Sequence, residues 1–540
     1  MIRLFQLLAL CLAISACQKE TLVEKANREG IFLMGNGAEP KSLDHQMVTG
    51  VPESKIVGAL FEGLVGDHPS DDAATPPGAA ESWTHNEDMT EWVFKLQPNG
   101  RWSDGAPVTA HDFVFSYHRM LSPALAAPYV EMLYFIDQAE EFNKEEITDF
   151  EKVGVKALDD LTLQIKLKEP VPFLPSLTRH YTWFPVPRHV IIQHGEMSDR
   201  FTDWSEFPNL VGNGPFKLAV WRFHDLIEVE RNPYYWDAKN VHLNGIRFLP
   251  IENPYTETRA FRAGQLHTTY RLPTDLIRDM LENEPEQLRQ EPYVGTVFIR
   301  FNTTRPALSD PRVRQALSMT INRSDYCEYI AEGYTPATSL TPQMGEYSAE
   351  PMLEFNPEKA RQLLAEAGYP DGEGFPRYSI LISRPAARAG AEALQAMWRQ
   401  HLNILVDIQN KDWGSYIGAQ QSLDYDMAAA GWIGDYLDPT TFLNMWTEGN
   451  GNNNTAWHNE RYEQLLDEAA VQSEPARRFD LMRQAETILM KEQPIAPISW
   501  YARNYLLRPE VKGWYPLLLD NHPWKSVRLE SSASPSISTE

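Results

Sequence analysis

Glu91-Trp-Val-Phe-Lys-Leu-Gln-Pro-Asn-Gly-Arg-Trp-Ser-Asp-Gly-Ala-Pro-Val-Thr-Ala-His-Asp-Phe-Val-Phe-Ser-Tyr-His-Arg-Met120 reads as a strand, a turn and a helix in succession. Glu91 to Leu96 has the alternation of a strand, and Asn99-Gly100 supplies a turn. Thr109 followed three residues later by Asp112 is a capping-box-like start for the helix that runs through Phe113 to Met120.

The same punctuation continues outward in both directions. Ile31 to Met34 reads as a first strand closed by Gly35-Asn-Gly37, and a helix starting at Pro52 carries Ile56, Leu60 and Phe61 at helical spacing. An aromatic, proline-rich stretch runs from Thr182 to Pro187; a hairpin over 212–230 and an irregular aromatic turn at Asn232-Pro-Tyr-Tyr-Trp236 follow it. Val297 to Phe301 is a strand. Asp310-Pro311 and Asn356-Pro357 each open a helix, the first with Val313, Leu317 and Ile321 on one face and the second ending at Gly368. A helix from about Ala386 to Leu402 precedes a strand over Ile404 to Ile408, and Pro475 splits Arg461 to Met490 into two helices. The Ser-rich tail from Ser531 reads as disordered. Helices and strands in alternation predict mixed α/β layers around several sheets, with no short-period repeat.

Composition bounds the function. The chain has 540 residues, 43% hydrophobic, which predicts two or three domains. Its 49 basic against 74 acidic residues give a net charge of -25, which excludes a nucleic-acid groove built on clustered Lys and Arg. Arg3, an apolar run from Leu4 to Ile14 and the small residues before Cys17 read as a signal peptide over 1–16. The Ile-Ser-Ala-Cys17 ending resembles a bacterial lipobox, with acyl chains on Cys17 and a polar tether over 17–30. Cys11 leaves with the signal, so Cys327 has no partner for a disulfide and reads as a small buried hydrophobe.

No nucleophile elbow, zinc helix, phosphate loop or Cys-x-x-Cys is present, and no cofactor or metal is expected. His111 and His118 lie two helical turns apart, too far to share a metal without other ligands. A pair of carboxylates meeting in space would leave no trace in spacing, which keeps an envelope hydrolase as a remote reading. The best site candidate is Ala428-Ala-Ala-Gly-Trp-Ile-Gly-Asp-Tyr-Leu-Asp-Pro439, a short strand opened by Gly431 and Gly434 with a lone carboxylate, Asp435, at its end. Glycine inside a strand often marks the close approach of another backbone or a ligand. Trp413 and Trp432, beside Gly and Asp rather than in Leu/Val runs, fit pocket walls. Trp432 and Asp435 are three apart and would face opposite sides of a regular strand, so the strand is expected to bend or end near Gly434.

The segment 80–121, together with Gly212-Asn-Gly-Pro-Phe, Asn232-Pro-Tyr-Tyr-Trp, Asp310-Pro-Arg-Val-Arg-Gln-Ala-Leu and Asn356-Pro-Glu-Lys-Ala-Arg-Gln-Leu-Leu, resembles the bacterial extracellular solute-binding proteins of family 5. Val51-Pro-Glu-Ser54 and Gly431-Trp-x-x-Asp-Tyr-x-x-Pro439 are most similar to the oligopeptide-binding members. The resemblance implies an α/β, bilobed periplasmic-binding-protein-like fold of three domains. Lobe I would combine 31–61, 186–290 and 503–530, a small domain would be inserted at 62–185, and lobe II would span 291–502. It implies a monomeric, non-enzymatic receptor on the periplasmic side of the envelope that closes on an oligopeptide and delivers it to the membrane subunits of an ABC importer. Asp435 would take the peptide's α-ammonium, Trp413, Trp432 and Tyr129 would line side-chain pockets, and backbone near Val51 and Gly431 would pair with the peptide as an added strand.

The chain departs from the pattern in one place. Ala429 stands where several oligopeptide receptors have an Arg, and Ala387 where a His meets the peptide carboxylate. Either Arg384 or Arg388 substitutes, or carboxylate recognition is relaxed. Gln18 after the lipobox cysteine resembles an outer-membrane address, which keeps a second reading open: an envelope lipoprotein of the same fold that senses a ligand, or partners an envelope protein, without transport.

Overall fold

The computed structural model describes residues 20–383, 387–472 and 474–530. Three principal sheets organise it. β1 (Ile31–Gly35) lies parallel to a later strand in a four-stranded sheet, and β2 (Ala80–His85), β3 (Glu91–Leu96), β4 (Val155–Asp159) and β5 (Thr162–Lys166) form an antiparallel sheet in the order β2-β3-β5-β4. β6 (Phe216–Arg222), β7 (Leu226–Arg231) and β8 (Gly245–Leu249) complete the first sheet in the order β1-β8-β7-β6. The third sheet has six strands: β9 (Leu288–Phe301), β10 (Thr335–Pro336), β11 (Ser379–Ile382), β12 (Asp407–Asn410), β13 (Met427–Ile433) and β14 (Ile495–Leu506), ordered β10-β14-β9-β13-β11-β12. This is the mixed α/β class expected.

Helix ends follow their sequence signals. Besides the strands there are α1 (Leu22–Glu29), α2 (Val51–Leu60), α3 (Ala110–Leu121), α4 (Pro311–Met319), α5 (Pro357–Glu366), α6 (Arg388–Leu402), α7 (Trp413–Gln421), α8 (Glu460–Ala470) and α9 (Pro475–Glu492). Asp112 Oδ2 accepts from the Thr109 N–H at 2.8 Å, completing the capping box of α3. Asp310 caps α4 by accepting from the Arg312 N–H at 2.9 Å. Asn356 caps α5 by accepting from the Lys359 N–H at 3.1 Å. Each such cap stabilises its helix by about 1 kcal/mol relative to Ala.

β9 and β14 run antiparallel along most of their length and carry the chain from one packing unit to the other. Their Leu288 and Leu506 ends sit in a core cluster with Phe261 and Leu266, whereas Ile299, Phe301, Ala496 and Ile498 belong to the core beneath the six-stranded sheet. Two register shifts, at Pro497/Ser499 and Trp500/Ala502, fall between these ends. The first two sheets share one continuous core, which includes Phe32, Leu60, Phe94, Phe113 and Phe248.

Three elements differ from expectation. The polar stretch read as a tether contains α1, whose Thr21–Glu24 capping box and left-handed Gly30 (φ 68°) define both ends, and whose Val23 and Ala26 pack on Leu33. The strand expected over 404–408 begins at Asp407, because Ile404 and Val406 turn into the core against Trp398 and Leu402. The strand expected from Val297 begins at Leu288. Cys327 is buried, and burial pushes its thiol up to about 11 despite Arg323, as fits a small core residue. The segment 1–19, with Cys17, and the tail from Ser531 lie outside the described residues.

Candidate functional site

The site is built on the free edge of β13. β9 pairs with β13 along its whole length, from Met427↔Phe301 to Ile433↔Gly295, but β11 reaches only Met427 and Ala428. The Tyr416 hydroxyl donates to the Ala429 carbonyl at 2.8 Å, so that carbonyl faces away from β9. Strand residues alternate, so Gly431 and Ile433 turn their N–H and C=O groups toward the same open edge. The Gly434 N–H points the other way, donating to the Val294 carbonyl at 2.8 Å. Gly431 leaves room here for the Tyr501 hydroxyl, which would stand 2.6 Å from a Cβ at this position and would have to shift.

β13 stops at Ile433, as its parity required, and the turn that follows brings Asp435 to the same side as Trp432. Both border a cavity of about 510 Å³, whose other walls include Val51, Tyr129, Tyr181 and Tyr293. The Asp435 N–H donates to Thr441 Oγ1 at 3.1 Å, which fixes the backbone. Among the described residues its carboxylate has no hydrogen bond and no ion pair. Burial, with the charge of Glu131 second, pushes the carboxyl up to about 7. Burial, then Asp435 and Glu131, pushes the Tyr129 phenol up to about 12, so it stays a neutral donor. The site is a carboxylate among phenol rings, short of one positive charge.

A buried ion cluster braces another wall of the cavity, where Lys55 and His522 stand. Asp520 meets Lys55 Nζ at 2.7 Å, Arg503 Nε at 3.2 Å and His522 Nε2 at 3.0 Å, tying α2, β14 and the C-terminal segment together. Burial alone would raise the Asp520 carboxyl, but Arg503 and Lys55 hold it far below the usual carboxylate range. Burial pushes His180 down to about 3 and His522 down to about 4, so both are neutral near neutral pH. The loop after Asp435 is anchored as well: Arg478 makes a bidentate pair with Asp438 at 2.6 and 2.8 Å and sits 5.2 Å over the Phe173 ring.

Five of the residues singled out from sequence come together here: Asp435, Trp432, Gly431, Val51 and Tyr129 all border the one cavity. Val51 is the first residue of α2, preceded by an extended Gly50. Trp413 opens α7, and its side chain, like Arg384, lies outside the described residues. Arg388 does not border the cavity; it is exposed at the start of α6 and pairs with Glu392 one turn on, at 3.2 Å. The C-terminal segment with Asn521, His522 and Lys525 and the segment with Asp67 also form walls that the sequence reading did not find. Their only sequence signal is polar residues close to prolines, with Trp524 in the C-terminal segment. Among the described residues, no group of three or more His, Cys, Asp or Glu could hold a metal ion, and no helix is long and apolar enough to cross a membrane.

Residues 75–454 match the family described as bacterial extracellular solute-binding proteins, family 5 Middle. The chain is 35% identical over 527 residues to the periplasmic oligopeptide-binding protein OppA of Haemophilus influenzae, covering 94% of this chain and 95% of that one. It is 32% identical over 500 residues to the probable deoxycholate-binding periplasmic protein YgiS of Escherichia coli, covering 90% and 91%. The solved structure of the Escherichia coli murein tripeptide binding protein MppA matches with a TM-score of 0.79 at 31% identity, over 92% of this chain and 98% of that one. The arrangement is thus the multi-domain, bilobed fold expected.

Proposed function

Because the chain belongs to the bacterial extracellular solute-binding proteins of family 5, and is therefore a binding protein rather than an enzyme, we propose that it is a lipid-anchored receptor for oligopeptides. It takes the peptide between its lobes and delivers it to the membrane subunits of an ABC importer. Lobe I is drawn from 31–61, 186–290 and 503–530, the inserted domain is 62–185 and lobe II is 291–502. The protein acts as a monomer on the periplasmic side of the envelope, held through Cys17 in its Ile-Ser-Ala-Cys motif.

The observation that carries this reading is the unpaired Asp435 carboxylate at the end of an open strand edge. A peptide laid along Gly431 and Ile433 adds a strand, and its main-chain bonds supply affinity without reading sequence. Its α-ammonium then meets Asp435, while Trp432, Trp413 and Tyr129 accept varied side chains. Truncating one partner of such an enclosed pair typically costs about 2 to 5 kcal/mol.

Calorimetry with a free and an N-acetylated form of one tetrapeptide tests the assignment. The acetylated form, and the free form on Asp435→Asn, should each bind about a hundredfold more weakly. Equal affinities would remove Asp435 as the ammonium anchor.

A second reading is favoured by the relative named as deoxycholate-binding: the same fold taking a non-peptide ligand, or sensing without transport. Native mass spectrometry of the protein as purified distinguishes the two, since a steroid mass in place of peptide masses would establish the second.

A further inference from the structure

A second carboxylate borders the cavity without a hydrogen-bond partner among the described residues. Asp67 follows Gly66 on the segment that leaves α2, on a different wall from β13. Its nearest cation is Arg179, whose Nε stands 3.7 Å from Asp67 Oδ1, beyond hydrogen-bond range. Arg179 is only 5% exposed, and its Nη groups are committed elsewhere: to the Ala74 carbonyl at 3.2 Å, the Asp72 carbonyl at 3.1 Å and Ser176 Oγ at 2.9 Å. Its buried Nε has no hydrogen-bond partner among the described residues. Arg179 therefore holds the 72–74 loop and leaves Asp67 only loosely compensated.

The other cations of the cavity are committed too. Lys55 is bound to Asp520, and Lys525 lies 3.4 Å from Asp237 with its Nζ 5.0 Å over the Trp236 ring. His180 and His522 are neutral near neutral pH, being pushed down to about 3 and about 4 by burial. The remaining acid, Glu62, accepts from the Tyr235 hydroxyl and from Trp236 Nε1. Among the described residues, two cavity carboxylates lack a donor, Asp435 and Asp67, and no cavity cation lacks an acid or carbonyl. Asp435 stands at the end of β13 and Asp67 on the segment that follows α2, so the two can meet different parts of the same ligand.

Resting on the peptide-receptor reading, we propose that the cavity selects peptides with two positive groups: the α-ammonium at Asp435 and a basic side chain, of the Lys or Arg kind, at Asp67. Burial, opposed by Arg179, pushes the Asp67 carboxyl up to about 6, as fits a group short of positive charge. A long basic side chain gains in two ways here, burying its methylenes against Phe61 and Val65 of the same wall while its head pairs with Asp67.

Calorimetry on the full-length mature protein with tetra-alanine and four variants, each with one Ala replaced by Lys, tests this. At the favoured position the Lys peptide should bind about tenfold tighter than its norleucine counterpart, which has the same length without the charge. In Asp67→Asn that Lys-to-norleucine ratio should fall to near one. Equal binding of Lys and norleucine peptides at every position overturns the proposal without needing any variant, and so does a ratio that survives in Asp67→Asn. Those outcomes leave tetra-alanine bound and the receptor reading intact. If tetra-alanine and all four Lys peptides fail to bind, the receptor reading and this proposal fall together.

Discussion

The ring of Tyr436 stacks on that of Phe173, centroids 5.3 Å apart and 5° from parallel, with Phe135 meeting it edge-on at 6.1 Å. Tyr436 is the residue next to the carboxylate Asp435, yet it is buried in the core cluster shared by the first two sheets. The turn that ends β13 is thereby docked on the opposite unit.

Phe173→Ala removes both the stack and the ring beneath Arg478. Stacked aromatic pairs contribute about 0.5 to 1.5 kcal/mol beyond their burial, and a desolvated cation over a ring about as much again. Ligand dissociation, followed by stopped-flow fluorescence, should become about tenfold faster. Scattering should show a larger radius of gyration in the ligand-free protein. An unchanged dissociation rate would mean that the stack plays no part in capture.

Ligand affinity should depend on pH through Asp435. The titratable groups facing it are Glu131 and four phenols that stay neutral, Tyr129, Tyr181, Tyr293 and Tyr436. The free carboxyl titrates near 7, and a bound ammonium lowers that value, so binding below pH 7 must expel a proton. Affinity should fall by up to about tenfold for each pH unit below 7 and level off above it. Calorimetry in buffers of different ionisation enthalpy counts the released proton, and Asp435→Asn should release none.

The same shift has the opposite sign for folding. The folded carboxyl binds its proton more tightly than the unfolded one at 3.8, so the stability it contributes is complete below 3.8 and lost as pH rises through about 7. Ligand-free Asp435→Asn should therefore melt a few degrees higher than the parent at pH 8 and no higher at pH 4. Calorimetric melting at both pH values checks this, and a variant less stable at pH 8 contradicts it.

Asp520→Ala leaves Lys55 and Arg503 buried without their counter-ion. Losing one member of such a cluster costs about 3 to 5 kcal/mol, so the urea midpoint should drop well below that of the parent. Lys55→Met with Asp520→Leu, which removes charges of both signs, should recover part of the loss. A double variant no better than the single one would show that packing rather than charge dominates.

The local signals carried the fold where a residue type has one physical use. Thr109–Asp112, Asp310-Pro311 and Asn356-Pro357 are caps, and the structure uses them as caps. Thr21–Glu24 is the same device, hidden because so many polar residues surround the two apolar ones, Val23 and Ala26. Asp435 was legible because glycines and a tryptophan mark its strand. Asp67 and the cluster at Asp520 were not, since each depends on contacts between residues more than a hundred positions apart, such as Arg179 with Asp67 and Lys55 with Asp520. Spacing along a chain records what one element does and says little about which elements meet.

The folding of α1 against Leu33 has a mechanical consequence. On the lipid-anchor reading, a free chain from Cys17 to Gly30 would let the body roam about 45 Å from the bilayer at full extension. With α1 folded on the body from its Thr21 cap, Cys17 can stand no farther than about 14 Å from that cap, the reach of the intervening residues at full extension. The receptor would then ride close to the lipid surface with little freedom to turn over, so whichever face meets the membrane is decided by where α1 leaves the body.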